Sequence, residues 1–102
     1  MGDVMSSFRS QKYMDWVKTL PSYIDQDDAQ DPHHVHGCCG LGGSTKPHDI
    51  FTIPMTRRQH QLAHSIGAET YFKQKGGSQA EAVLLTLDKA IRDGVITITV
   101  NV

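Results

Sequence analysis

The sequence predicts an α+β domain with two short strands near its centre and helices on both sides of them. Three observations lead to this fold class. Amphipathic helical patterns occupy residues 10–20 and 78–94, and two short strand candidates lie on either side of a glycine-rich segment between them. The length of 102 residues suits one domain. Residues 1–9 are polar and are expected to be flexible, so the single domain is placed at residues 10–102.

The N-terminal helix is expected to start after Ser10 and to end before Pro21. Ser10 is a suitable N-cap, and the apolar residues that follow recur on one helical face: Tyr13, Trp16, Val17 and Leu20. A short strand is predicted at residues 33–37 and a second at residues 50–53, where Ile-Phe-Thr-Ile is β-branched and aromatic. The segment 38–49 between them contains several glycines and is expected to be an irregular loop.

Two helices are predicted directly after the second strand. Pro54 suits a position just before or at the start of a helix, which is expected to run from about Thr56 to Ser65. A shorter helix over residues 69–75 is expected to stop at Gly76-Gly77, because glycine is unfavourable inside helices.

The C-terminal helix has the clearest signals in the chain. Ser78-Gln-Ala-Glu81 matches a capping box, in which the two side chains accept hydrogen bonds from each other's backbone amides. The predicted apolar stripe that follows consists of Val83, Leu84, Leu87 and Ile91. Gly94 is expected to end the helix in the left-handed conformation. Residues 95–100 alternate apolar residues with threonine, which predicts a short terminal strand with one solvent-facing side.

Charge and cysteine content restrict the class of protein. The formal net charge of −1 is weak for a protein that coats nucleic acid. Acidic residues gather at positions 25–31 and basic residues predominate at 46–75, so a locally basic face is expected. Cys38 and Cys39 are adjacent and do not form a disulfide framework, and no secretory signal or membrane span is visible. A reducing cytosol is therefore the expected location.

Four histidines stand out by their spacing. His60 and His64 lie four residues apart on a predicted helix, which places both rings on one face. His33 and His34 are neighbours in the first predicted strand, where adjacent side chains point to opposite faces. One of these two rings can then share a metal ion with His60 and His64, while the other stays free as a base. The alternative is that the four are ordinary solvated histidines.

A site with three neutral imidazole ligands has a definite chemical character. It leaves coordination positions open for water and substrate, which is typical of catalytic rather than structural metal sites. An ion held by neutral ligands keeps its positive charge and can stabilise a phosphorane-like transition state and a leaving alkoxide. A nearby histidine is a suitable base for an attacking water. The histidine pattern therefore indicates phosphodiester hydrolysis.

The motifs resemble those of HNH, or ββα-metal, nucleases. More narrowly, the chain is similar to a phage and prophage family of small HNH-like nucleases related to the RecA-dependent recombination-enhancement nuclease. The resemblance covers residues 10–96. It is carried by four stretches: Lys12-Tyr-Met-Asp-Trp-Val-Lys-Thr-Leu-Pro21, Asp31-Pro-His-His-Val-His-Gly37, Ser44-Thr-Lys-Pro-His-Asp-Ile-Phe51 and Ile53-Pro-Met-Thr-Arg-Arg-Gln-His60. It implies a ββα-metal core flanked by the N-terminal helix and by the C-terminal helix with its short strand.

The resemblance also implies roles for individual residues. His33, His60 and His64 would hold the metal ion, and His34 would be the general base. Asp49 stands where HNH enzymes commonly have an asparagine that orients the base histidine. The ion would be one divalent metal, Mg, Mn, Ni or Zn, and imidazole ligands suit the transition metals better than Mg.

Three basic residues follow from the same resemblance as candidates for binding DNA. Lys46, Arg57 and Arg58 would approach the phosphates, although ordinary solvated charges are an equal alternative for them. A phage-type protein of this kind is expected in the cytoplasm of a bacterial host cell.

Two pairs of positions depart from the family pattern. Where the family carries two C-x-x-C cysteines, this chain has Ser22 and Asp25, and where the family carries C-x-x-H, it has Thr56 and Gln59. These residues bind zinc poorly, so no structural zinc is expected. The core would instead be held by apolar contacts of Trp16, Ile50, Phe51, Ile53, Leu84 and Leu87. Cys38 and Cys39 lie away from the zinc positions and are expected to be free thiols.

The resulting expectation is a metal-dependent endonuclease that hydrolyses DNA phosphodiester bonds in phage recombination or replication. The alternative is a catalytically inactive module of the same fold that binds DNA or a recombination protein such as a recombinase. A homodimer formed through the terminal strand, residues 95–102, stays open.

Overall fold

The computed structural model describes residues 7–36 and 46–102. It contains a small two-stranded sheet and four helices, so the α+β class is confirmed. In chain order the elements are α1 (Gln11–Val17), β1 (His33–His34), β2 (Thr52–Ile53), α2 (Arg57–Ile66), α3 (Ala68–Gln74) and α4 (Gln79–Arg92). None of the helices within these described residues is both long and apolar enough to cross a membrane.

The two strands pair antiparallel, with His33 opposite Ile53 and His34 opposite Thr52. Both are shorter than predicted. Residues 48–51, which include the first half of the predicted second strand, form a turn. In this turn the amide of Phe51 donates to the carbonyl of His48 at 2.9 Å. One further hydrogen bond, from the amide of Val35 to the carbonyl of Phe51 at 3.0 Å, extends the contact beyond the two paired residues.

The helix α1 is capped as predicted but ends earlier. The Ser10 side chain accepts a hydrogen bond from the amide of Tyr13, which satisfies one free donor of the first turn. The helix ends at Val17, because the following residues form tighter turns: the amide of Leu20 bonds to the carbonyl of Val17 at 3.1 Å. Leu20 nevertheless stays buried.

The helices α2 and α3 meet at Gly67, which has a φ of +93°. This backbone conformation favours glycine, and it lets the chain change direction between two helices without a longer loop. At its other end α2 has a complete capping box between Thr56 and Gln59. The start of α2 is thus fixed, with three residues, 54–56, between it and the end of β2.

Helix α4 confirms its predicted start and stop but buries a different face. Ser78 caps it and Gly94 ends it with a φ of +72°. The side chain of Glu81, however, accepts from Tyr23 Oη at 2.7 Å, so the predicted capping box is only half formed. The buried face consists of Gln79, Ala82, Val83, Thr86 and Ala90.

Two residues of the predicted apolar stripe are therefore not on the buried face. Leu84 is 66 % exposed and Ile91 is 48 % exposed. The small side chains of Ala82, Thr86 and Ala90 recur every four residues, so they form a stripe on one face of the helix. That stripe packs inward and turns the larger Leu84 outward.

The predicted terminal strand is also wrong. Residues 95–100 have no strand structure, and among the described residues no strand pairs with them. The amides of Val95 and Ile96 both donate to the carbonyl of Ala90, at 2.8 and 3.3 Å. These amides complete the end of α4. Ile98 and Val100 are left exposed.

The core has two apolar clusters. The larger is built around Ile53, Met55, Ala63, Tyr71, Phe72, Ala82 and Val83, with Phe51 and Leu87 packed against it. The smaller joins α1 to the end of α4 through Tyr13, Val17 and Ala90, with Trp16 and Ile50 at its edge. Of the predicted core set, all but Leu84 belong to one of these clusters. The larger cluster contains residues of β2, α2, α3 and α4.

Candidate metal centre

Three histidine side chains converge beside the sheet, and they are called the histidine cluster below: His33, His60 and His64. Each offers a ring nitrogen, and the three nitrogens lie within 4.8 Å of one another. Nε2 of His60 is 3.0 Å from Nε2 of His64. His33 is buried and His64 is exposed, so the cluster reaches from the interior to the surface. A groove of about 400 Å³ opens there, lined by His33, His64, Glu69 and Gln79 among others.

The local structure explains this convergence. The helical spacing of four residues puts His60 and His64 on one face of α2. Strand pairing sets His33 opposite Ile53, and only residues 54–56 separate Ile53 from the start of α2. The strand β1 is therefore held next to the first turns of that helix.

His33 has two ring nitrogens in different surroundings. Nε2 lies 2.8 Å from Gln79 Oε1, whereas Nδ1 is buried and has no hydrogen-bond partner in the described residues. Burial, with a smaller contribution from the neighbouring rings of His60 and His64, lowers the pKa of His33 to about 4. The ring is thus neutral at pH 7, which is the form that binds a metal.

His60 is oriented by a carboxylate. Its Nδ1 lies 3.2 Å from Asp31 Oδ2, and the amide of Asp31 is in turn bonded to the carbonyl of Met55 at 3.0 Å. With Nδ1 donating to Asp31, Nε2 of His60 is available to a metal ion. A carboxylate behind a histidine ligand is a common arrangement in metal sites, where it fixes the tautomer of the ring.

A second histidine site is formed by His34 and Asp49. Nε2 of His34 lies 2.9 Å from Asp49 Oδ1. Asp49 also accepts from Arg9 Nη1 at 2.9 Å and from the amide of Ser10 at 2.8 Å. Burial alone would raise the pKa of Asp49, but the hydrogen bonds from His34, Ser10 and Arg9 outweigh it and hold the pKa below its ordinary value. The carboxylate is therefore ionised and can fix the His34 ring.

Part of the segment predicted to be flexible takes part in this arrangement. The amide of Phe8 donates to His48 Nδ1 at 2.8 Å, and the carbonyl of Phe8 accepts from the amide of Asp49 at 2.9 Å. The guanidinium of Arg9 also donates to the carbonyls of Lys46 and Pro47, at 2.9 and 2.6 Å. Residues 7–9 are thus bonded to the segment that carries Asp49.

The predicted DNA-binding residues are all exposed: Lys46, Arg57 and Arg58. Arg57 lies closest to the histidine cluster, with its Nε 4.0 Å from the carboxylate of Asp31 that orients His60. Lys46 is three residues before Asp49, and Arg58 follows Arg57 on the first turn of α2. Cys38 and Cys39 lie outside the described residues.

Hydrogen bonds link the four positions at which the resemblance to HNH-like nucleases would place zinc ligands. They are called the serine–glutamine cluster below: Ser22, Asp25, Thr56 and Gln59. Ser22 Oγ donates to Gln59 Oε1 at 2.6 Å, and that oxygen also accepts from the amide of Thr56 at 2.9 Å. The amide of Asp27 lowers the pKa of Asp25, and a hydrogen bond from Gln59 adds to this effect. These bonds connect the loop after α1 to the start of α2.

Four residues of this region had no role in the sequence interpretation: Arg9, Asp31, Glu69 and Gln79. Asp31 stands in the Asp-Pro-His-His motif, so its position next to the histidines was a usable signal. Gln79 lies inside the capping motif of α4, and Glu69 is on a separate helix. Neither has a sequence pattern that connects it to His33.

The histidine cluster fits a transition metal. Two nitrogens that are each about 2 Å from one tetrahedral ion are about 3.3 Å apart, close to the 3.0 Å between Nε2 of His60 and Nε2 of His64. Nδ1 of His33 is buried and has no hydrogen-bond partner in the described residues. Nothing there competes with a metal ion for this nitrogen. Neutral imidazoles are ligands that suit Zn, Ni, Cu and Fe.

Comparison with known proteins places the chain in a family. The family described as "Protein of unknown function (DUF968)" matches residues 4–94. This chain belongs to the DUF968 family. It is also 40 % identical over 88 residues to the uncharacterized protein YdfU of Escherichia coli K12. That match covers 84 % of this chain and 24 % of YdfU, so the chain spans about a quarter of the relative's length. No solved structure gives a significant match.

Proposed function

We propose that this chain is a metal-dependent endonuclease of the HNH type, which hydrolyses DNA phosphodiester bonds. The observation that carries the proposal is the convergence of His33, His60 and His64 within 4.8 Å, beside a strand that also presents the His34–Asp49 pair. The order of β1, β2 and α2, with the candidate ligands on the first strand and on the helix, is the order expected of a ββα-metal core.

His34 is proposed as the general base. Because Asp49 is ionised and only accepts, Nε2 of His34 carries the proton of their 2.9 Å hydrogen bond. Nδ1 then holds the free lone pair. In the proposed step Nδ1 takes a proton from water while the water oxygen bonds to phosphorus and the bond from phosphorus to the 3′ oxygen breaks. Asp49 stabilises the imidazolium that forms, as carboxylates do in other histidine-based sites.

The metal would be held by His33, His60 and His64. When bound, a divalent ion supplies positive charge that stabilises the negative charge of the transition state and of the leaving oxygen. The chain contributes the rest: Asp31 orients His60, and burial keeps His33 neutral so that its lone pair is available at pH 7.

Arg57, Arg58 and Lys46 are proposed to bind the DNA backbone. Arg57 and Arg58 are exposed on the first turn of α2, the turn that precedes His60. An arginine at this place can donate two hydrogen bonds to one phosphate. Such contacts hold the backbone without reading the base sequence.

A plasmid-cleavage assay with added Mn²⁺, Ni²⁺, Zn²⁺ or Mg²⁺ tests the proposal. The wild type is expected to nick or cut the plasmid with at least one of these ions, and chelation is expected to abolish cleavage. We expect His34→Ala to retain DNA and metal binding but to lose at least ~100-fold in rate, which is the order of a general-base contribution. His48→Gln is the matched control, because His48 is also half-buried near Asp49 but has no role in the proposed chemistry.

The outcome of the same assay separates the enzyme from a binding module. Equal inactivity of the wild type and His34→Ala, across all ions and on both supercoiled and single-stranded DNA, contradicts the enzymatic proposal. If the wild type still shifts DNA in a gel under those conditions, the chain is a binding module of the same fold.

A further inference from the structure

The hydrogen bond between His33 and Gln79 decides which nitrogen of His33 can bind a metal. A neutral imidazole carries one proton, and the nitrogen without it is the ligand atom. Nε2 lies 2.8 Å from Gln79 Oε1, and Nδ1 has no partner in the described part of the chain. If Oε1 accepts, Nε2 must carry the proton. The orientation of the Gln79 amide therefore decides which nitrogen of His33 carries the proton.

Glu69 fixes that orientation. Gln79 Nε2 donates to Glu69 Oε1 at 2.6 Å. An ionised carboxylate can only accept hydrogen bonds, so an amide turned by 180° would set its carbonyl oxygen against the carboxylate. Gln79 must consequently direct its NH₂ group to Glu69 and its oxygen to His33. The three residues form one directed chain of hydrogen bonds.

Gln79 itself is held firmly. It is only 5 % exposed and is the first residue of α4. The Ser78 hydroxyl caps that turn, and Glu81 accepts from Tyr23 Oη at 2.7 Å. A Cβ atom on Gly77 would lie 2.6 Å from the same Tyr23 oxygen, so the close approach of Tyr23 depends on glycine. The start of α4 is thus tied to the loop that follows α1.

We propose that Gln79, oriented by Glu69, is a positioning residue that holds His33 in the Nε2–H tautomer and so makes Nδ1 the metal-binding atom. This inference rests on the metal site of the proposed function. Asp31 has the same task for His60, where it selects Nε2. Two ligands of the histidine cluster are therefore preset to use different ring nitrogens, one Nδ1 and one Nε2.

The proposal predicts what the loss of Gln79 does. Without an acceptor opposite Nε2, the buried ring can move its proton to Nδ1, and in that tautomer Nδ1 has no lone pair for the metal. Partners that orient metal-binding histidines typically contribute about 10–100-fold in metal affinity. The variants Gln79→Met and Glu69→Ala should both show this loss, because Glu69→Ala leaves the Gln79 amide free to turn.

The test combines two measurements at pH 7. Long-range ¹H–¹⁵N NMR spectra of the metal-free protein report the tautomer of His33, and calorimetric titration with Zn²⁺ reports affinity. The wild type is expected to show only the Nε2–H form. Gln79→Met and Glu69→Ala are expected to show Nδ1–H or a mixture, with Zn²⁺ affinity reduced by about 10–100-fold. Gln74→Met, on the exposed side of α3, is the matched control and should behave as the wild type.

The two proposals fail in different ways. An unchanged Nε2–H spectrum in both Gln79→Met and Glu69→Ala, or Zn²⁺ binding within twofold of the wild type, overturns the role of Gln79. Should Gln79→Met not fold, Glu69→Ala decides alone, since Glu69 is exposed. A wild type that binds no divalent ion overturns the proposed function, while its spectra still decide the tautomer.

Discussion

The serine–glutamine cluster and the histidine cluster share the helix α2 but differ in how their polar atoms are satisfied. Gln59 Oε1 accepts two hydrogen bonds, and Ser22 Oγ donates to Gln59 and accepts from the amide of Ile24. In the histidine cluster Nδ1 of His33 is buried without a partner in the described residues. The polar side-chain atoms named in the first cluster all have partners within the protein, whereas the second keeps a nitrogen without one.

This difference supports the proposal that the histidine cluster is a binding site and that the serine–glutamine cluster has a structural role. A buried polar atom without a partner costs about 1–3 kcal/mol, so it is rarely kept without a use. Tyr13 Oη is the other such side-chain atom among the described residues, but it lies beside Trp16 in the smaller apolar cluster. Of the two residues, only His33 belongs to a group of three histidines whose candidate ligand atoms lie within 4.8 Å of one another.

The largest expected effect is on metal affinity. His60→Ala removes a ligand, and we expect Zn²⁺ or Ni²⁺ affinity to fall by more than about 100-fold, or about 3 kcal/mol. Ser22→Ala removes a member of the other cluster and should leave the affinity unchanged. Calorimetric titration of both variants measures this contrast. Equal metal affinities in the two variants would contradict the claim that the histidine cluster alone binds the ion.

The next effect is the pH dependence of stability in chelator-treated protein. The pKa of His33 is 6.5 when unfolded and about 4 when folded, so between these values the unfolded chain binds more protons. The free energy of unfolding therefore falls as the pH drops from 6.5 to 4, by about 3 kcal/mol. Asp49, whose folded pKa is lowered, contributes stability that is lost only below its ordinary 3.8.

Urea unfolding at several pH values checks the His33 effect. His33→Gln should flatten the profile between pH 6.5 and pH 4, while His48→Gln should keep the slope of the wild type. A wild-type profile that is flat in this window would mean that burial of His33 does not disfavour its charged form.

A smaller effect is expected from the serine–glutamine cluster. Ser22→Ala removes the donor to Gln59 and the acceptor of the Ile24 amide, so it should lower the free energy of unfolding by about 1–3 kcal/mol. Ser65→Ala, on an exposed position of α2, should have almost no effect. If the two substitutions are equally harmless in urea unfolding, the cluster does not stabilise the fold as described.

The smallest effect concerns the outward face of α4. Leu84→Ser replaces a residue that is 66 % exposed, and the free energy of unfolding should change by no more than about 0.5 kcal/mol. Val83→Ala, on the buried face, should lower it by about 1 kcal/mol through lost burial. A larger loss for Leu84→Ser than for Val83→Ala in thermal or urea unfolding would contradict the assigned packing of the helix.

Local patterns predicted the elements of this fold better than their packing. Ser10, Ser78 and Gly94 mark helix ends through short-range chemistry, and the structure uses all three. The outward face of α4 was missed because Leu84 is more apolar than Ala82 and Thr86, and hydrophobicity alone cannot show that a stripe of small residues packs inward. The prediction of a terminal strand was wrong for a similar reason. Alternating apolar and polar residues do not show whether another strand is available to pair with them.

The candidate site, too, could be predicted from the sequence only in part. The convergence of His33, His60 and His64 follows from strand pairing and helical spacing, both of which are readable in the sequence. The partners of these rings come from distant positions: Gln79 is 46 residues from His33, and Arg9 is 40 residues from Asp49. Such contacts depend on how the helices pack, so only the three-dimensional structure could reveal them.

The most direct test of the account is anomalous diffraction from crystals grown with one equivalent of Zn²⁺ or Ni²⁺. We predict one anomalous peak, from an ion bonded at about 2.0–2.1 Å to Nδ1 of His33 and to Nε2 of His60 and His64. A metal bound elsewhere, or crystals in which these three rings surround no ion at saturating metal, would contradict it.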